Sequence, residues 1–94
     1  MEKIDSNYNM LQEVLSAAYN QAASGKGKER HAEGEPYNEQ PVVWIERYFK
    51  SYQLGQAVKK MHESQRLNKD AAIAELLGAI NYIAAHVIYL NECA

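Results

Sequence analysis

The residues best suited to chemistry lie in one short stretch, Gly25-Lys26-Gly27-Lys28-Glu29-Arg30-His31. Two glycines permit positive φ and let the backbone come close to a ligand. Successive free N–H groups in such a loop can form a nest for an anion. Lys26, Lys28 and Arg30 add cationic side chains, arginine can hold phosphate oxygens through two parallel hydrogen bonds, and His31 can donate one more. This combination suits a phosphate-bearing ligand. The spacing is neither a Walker loop nor a dinucleotide fingerprint, both of which follow a strand, and a solvated basic turn explains the same residues as well. Glu33, Glu35 and Glu39 follow directly, so the basic character is local.

Catalytic constellations are weaker. His31, His62 and His86 have no companion at metal-ligand spacing, and Cys93 adds none. No serine or cysteine sits in a nucleophile elbow. All-α nucleotide pyrophosphohydrolases hold magnesium with carboxylates at i, i+3 or i+4 on facing helices. Here Glu75 stands alone in the interior of the last helix, position 78 is glycine, and Glu46 and Glu63 are too far apart to converge. The expectation is a protein that is not an enzyme and that carries no metal site and no cofactor.

Seven tyrosines and one tryptophan offer faces on which a base can stack. Tyr8, Tyr19 and Tyr37 are nearest in sequence to the basic cluster. Tyr19 belongs to an apolar stripe and is expected in the core, whereas Tyr8 lies in a first helical turn and divides evenly between the two roles.

The elements that must position these groups are helices. Ninety-four residues make one domain, 1–94. Asp5 or Ser6 can cap a first helix, along which Tyr8, Leu11, Leu15, Ala18, Tyr19 and Ala22 recur at helical spacing until Gly25, a C′ glycine. Residues 25–40 lose the pattern; loops of that length tend to be functional or disordered, and Tyr37 with the two prolines favours order. This loop is the expected binding element. Pro41 suits the first position of a second helix, whose apolar face changes sides between Tyr52 and Gly55. A kink near Gly55, or burial on both sides, would explain the switch, and the glycine favours the kink. Asn68 and Asp70 start a third helix. The predicted fold is all-α: a short N-terminal helix and two long antiparallel helices, the first of them kinked.

The third helix is apolar nearly all round. Ile73, Leu77, Ile80, Ala84 and Val87 form one row, Leu76, Ile83 and Leu90 widen it, and Gly78, Ala79 and Tyr82 occupy much of the rest. Such a helix has to be covered on most sides, and two companions in one small chain cannot do this. A homo-oligomer follows. Glu75, Asn81 and His86 interrupt the stretch and no aromatic–basic flanks bracket it, which argues against a membrane span. The formal charge of −2 argues against a nucleic-acid polymer as partner. The single cysteine excludes an internal disulfide and fits a reducing compartment, and the first residues carry no secretory pattern. The expected location is cytoplasmic.

The string GKGKERHAEGEPYNEQP, followed by LGQAVKK and ELLGAINYIAAHVIYL, resembles a family of small bacteriophage proteins, the cyclic-nucleotide sponges that counter CBASS-type immunity. The similarity runs from about Leu11 to Leu90. The resemblance implies an interlocked homohexamer in the host cytoplasm that holds cyclic di- and trinucleotides such as cyclic GMP–AMP without cleaving them, so that the immune effector stays off. It would place phosphates on Lys26, Gly27, Lys28, Arg30 and His31, a base against Tyr8, and a cyclic trinucleotide near Arg66. The alternatives are a sponge for another signal, such as a cyclic ADP-ribose isomer, and a pyrophosphohydrolase-like protein.

Overall fold

A computed structural model of the chain describes residues 6–24 and 36–93. Among these residues there is no strand. A 3₁₀ turn, Ser6–Tyr8, leads into α1, Asn9–Ser24. After a second 3₁₀ turn, Tyr37–Glu39, comes the short α2, Pro41–Trp44, which continues as a 3₁₀ turn over Ile45–Arg47. The two long remaining helices are α3, Tyr52–Ser64, and α4, Lys69–Glu92. All-α is therefore the fold class.

Several local signals act where the sequence places them. Pro41 occupies the first turn of α2, and its missing N–H is one that a helix start leaves unbonded anyway. The Asn68 side chain accepts from Ala71 N at 3.0 Å and caps α4.

Three features depart from expectation. The N-terminal helix is not short; at 16 residues it is longer than α3, with 13. The second helix is not one kinked rod but two pieces, and the interruption lies at Tyr48–Ser51 rather than at Gly55. Ser51 adopts a left-handed φ of 68°, and α3 runs unbroken through Gly55, where an added Cβ would meet nothing within 4 Å. The break comes earlier because a buried carboxylate, Glu46, takes over N–H groups at the start of α3, as described below. Glycine there is compatible with a helix but is not what bends it.

The third departure concerns burial. α1 and α3 both pack on α4: Ala18 lies beside Asn81 and Gln21 beside Ala74, Lys60 of α3 reaches Glu75, and Glu46, in the turn after α2, reaches His86. The face of α4 turned to these neighbours is the small and polar one, with Gly78, Ala79 and Ala85 buried and Glu75, Asn81, Tyr82 and His86 half-buried. Leu77 and Ile80 of the apolar row are half-buried, while Ile73, Leu76, Ile83, Val87 and Leu90 remain outside, with Ile73 47%, Val87 50% and Leu90 54% exposed. α1 behaves likewise: Ala18 is buried, while Leu11 and Leu15 are exposed and Tyr19, expected in the core, is 72% exposed. The greasy faces of α1 and α4 thus lie open in a single copy.

Candidate functional site

The best-formed polar site is built around the junction between α2 and α3. Glu46 is completely buried. Its carboxylate accepts from Ser51 N at 3.1 Å, from Gln53 N, and faces His86 Nδ1 at 2.9 Å. Two of these partners are the N–H groups of Ser51, the residue before α3, and Gln53 in its first turn, where helix N–H groups lack intrahelical acceptors, and the helix N-terminus favours a negative group. Glu46 therefore caps α3 from a distance in sequence that no local capping rule covers. His86 ties the cap to α4. Gln53 follows immediately: it is 2% exposed, and its Nε2 donates to Val42 O, drawing α3 against α2.

Beside this junction α1, the 36–45 segment, α3 and α4 enclose a cleft of about 560 Å³, within the size range of small-molecule sites. Tyr37, Tyr52 and Tyr82 supply aromatic surface, and Gln21, Gln40, Gln53, Gln56 and Asn81 supply carboxamides. Four of them are anchored through nitrogen: Gln21 Nε2 donates to Ala74 O at 3.1 Å, Asn81 Nδ2 to Ala18 O at 2.9 Å, Gln56 Nε2 to the Tyr52 hydroxyl at 3.0 Å, and Gln53 Nε2 to Val42 O. The Tyr37 hydroxyl donates to Asn81 O at 3.2 Å. Burial, and secondarily Tyr82, pushes the Tyr37 phenol above its ordinary pKa, so this donor keeps its proton across the neutral range.

Lys60 is the cation in the cleft wall. Its ammonium lies 3.4 Å from Glu75 and 5.7 Å from the centre of the Tyr82 ring. Its stem lies across Gly78, whose absent Cβ would come to 3.1 Å from Lys60 Cδ. A side chain at position 78 would displace it; this close approach is what the glycine provides. With Lys60 engaged by Glu75, the cleft presents polarity and aromatic faces rather than a naked positive charge.

The residues expected from sequence to bind ligand fall differently. Lys26, Gly27, Lys28, Arg30 and His31 lie outside the described residues. Tyr8 is 62% exposed in the turn before α1 and does not line the cleft. Arg66, after α3, pairs with Glu63 and holds that carboxyl below the usual carboxylate range; it too is away from the cleft. Ala22 and Tyr37, which lie close in sequence to either end of the 25–35 segment, do line it. Sequence reasoning missed the carboxamides and Lys60. Asn81 and Glu75 had one signal, as polar interruptions of an apolar helix; the glutamines had none, because an exposed glutamine and an anchored one look alike in sequence.

Among the described residues no group of three or more His, Cys, Asp or Glu side chains is placed to hold a metal ion. Compared with protein-family models, curated proteins and solved structures, the chain matches none.

Proposed function

We propose that this chain is a non-catalytic binding protein that, as a homo-oligomer, takes up small cyclic oligonucleotides and withholds them intact from their receptor. The observation that carries the reading is the cleft: aromatic walls and anchored carboxamides, lined by Ala22 and Tyr37 at the two approaches to the Gly25–His31 cluster. Bases are held by stacking on aromatic faces and by hydrogen bonds to their edges. Phosphates need cations and free N–H groups, which Lys26, Lys28, Arg30 and the two glycines can supply from the neighbouring stretch of chain. The resemblance to phage sponges of CBASS signals points the same way and gives the setting, the cytoplasm of an infected bacterium.

Sequestration works by mass action and demands nanomolar affinity, about 12 kcal/mol. A doubly charged ring reaches this only when both phosphates are neutralised and both bases enclosed, which calls for a seam between subunits. The exposed row Ile73, Leu76, Ile83, Val87 and Leu90 supports such a seam, since apolar patches of this kind mark association surfaces. A hexamer is the assembly we favour. Length and composition would also let α4 cross a membrane, with 11% of its apolar window buried. The Lys60–Glu75 and Glu46–His86 pairs on its packed face make a second copy the better cover, because ionisable groups are costly in hydrocarbon.

The test is a thermal-shift screen over cyclic di- and trinucleotides and cyclic ADP-ribose isomers, followed by heat release and chromatography of the bound nucleotide. A large rise in melting temperature with one of them, and its recovery unchanged, are expected. Appearance of a linear or monophosphate product would establish an enzyme instead. No stabilisation by any member would refute the reading.

A further inference from the structure

Along α4, Ile73, Leu76, Ile80, Ile83, Val87 and Leu90 recur at alternating intervals of three and four residues. This period of about 3.5 residues is that of a seam between two helices wound about each other, narrower than the stripe by which a helix joins a mixed core. The described residues leave the seam open: Ile80 is half-buried and the other five side chains are exposed. α1 and α3 occupy other faces of the helix, where Ala74 and Asn81 bond to α1, Glu75 pairs with Lys60 and His86 is turned to Glu46. Beside the seam stand Ala72, Leu77, Ala79 and Ala84, so two copies of the helix can approach without like charges meeting.

From this we infer that the row is covered by α4 of a second copy, running antiparallel to the first. The inference deepens the proposed assembly and rests on it for the presence of that copy. One charge sets the direction. Lys69 continues the register four residues before Ile73 and is exposed in the first turn of α4, where a cation opposes the helix dipole. In a parallel pair the two Lys69 ammonium groups would face each other. The antiparallel register that uses all six apolar residues sets Ile73 against the partner's Leu90, Leu76 against the partner's Val87 and Ile80 against the partner's Ile83. It also brings Lys69 to the C-terminal end of the partner's helix. Glu92 at that end is already bridged by Arg47, so the last carbonyls of the helix, which lack intrahelical donors, are the negative groups that Lys69 meets.

The experiment is oxidative cross-linking of the full chain with Cys93→Ser, which removes the native thiol, and with Leu76→Cys and Val87→Cys introduced singly. Neither variant should link to itself, because the antiparallel register holds the two copies of each position about 16 Å apart, beyond the reach of a disulfide. Refolded together, the two variants should give a dimer linked between positions 76 and 87. Self-linking of either variant would mean a parallel pair, and a link from Leu76→Cys to Leu15→Cys would mean that α1 is the occupant; each overturns the inference. So would a monomeric protein, or one that floats with vesicles of phosphatidylethanolamine and phosphatidylglycerol. Lys69→Gln, at an exposed position, keeps the inference falsifiable if the cysteine variants fail to fold. Loss of the ammonium should weaken association severalfold in the antiparallel pair, and tighter association would mean a parallel one. An assembly that binds cyclic GMP–AMP but forms no link between 76 and 87 would overturn the pairing and leave sequestration standing. A linked dimer that takes up no cyclic nucleotide would retain the pairing and refute sequestration.

Discussion

Replacing Glu46 by glutamine is a one-atom change that probes the junction on which the cleft is built. The carboxylate is fully buried and serves three partners, with Oε2 on Ser51 N at 3.1 Å and on His86 Nδ1 at 2.9 Å, and Oε1 on Gln53 N. An amide has one acceptor. Whichever way it is turned, the N–H of Ser51 or of Gln53 then faces an NH₂ group, and a buried donor left without an acceptor costs about 1–3 kcal/mol. Glu46→Ala removes every acceptor, strands His86 and opens a void, so a loss nearer 3–5 kcal/mol is expected. Urea unfolding followed by circular dichroism measures both, at one fixed protein concentration because an oligomer's stability depends on it. The midpoint should fall with the slope unchanged. A Glu46→Gln protein within about 0.5 kcal/mol of the parent, the range of surface substitutions, would refute the assignment of Glu46 as the remote cap of α3.

Other substitutions test the same geometry. Ser51→Gly should stabilise by about 0.5–1 kcal/mol, because φ of 68° is strained for a side chain and free for glycine; a loss would mean that Ser51 is held there by contacts worth more than the strain. Gly55→Ala should also stabilise by about 0.5–1 kcal/mol, since the added methyl meets nothing within 4 Å and alanine is the better helix former. Destabilisation of this variant would return the break in the middle helix to Gly55. Gly78→Ala should leave the melting temperature within a few degrees, because the stem of Lys60 at 3.1 Å can move aside, yet lower nucleotide affinity severalfold by shifting Lys60 and Gln21 at the cleft. Unchanged affinity would show that the ligand does not use this wall.

Much of the architecture was legible from local chemistry. Helix type, the proline start of α2 and the asparagine cap of α4 follow from rules that act within one turn of chain. The long-range choices were not. Glu46 looks like one more surface acid, and only the folded chain brings His86 and the start of α3 to it. Periodicity found the apolar rows of α1 and α4 and showed that one chain cannot cover all of the last helix, but it placed Tyr19 in the core, where the structure leaves it 72% exposed. Within a single copy α1 and α4 pack on their small and polar faces, around Ala18, Gly78, Ala79 and Ala85, while Leu11, Leu15, Ile73, Leu76, Ile83, Val87 and Leu90 stay out. Periodicity reports which residues share a face and does not say whether a neighbouring helix or a neighbouring subunit covers it. The cleft was least visible, because its carboxamides owe their role to backbone carbonyls that the fold places opposite them.

The sequestering function depends on those open faces meeting in an assembly that encloses the ligand, and sedimentation velocity on the purified full chain, with and without cyclic GMP–AMP, tests this most directly. A single particle near six times the 10.7 kDa chain mass, carrying the nucleotide absorbance with it, is the expected result. A stable 10.7 kDa monomer with the nucleotide left behind in the supernatant would contradict it.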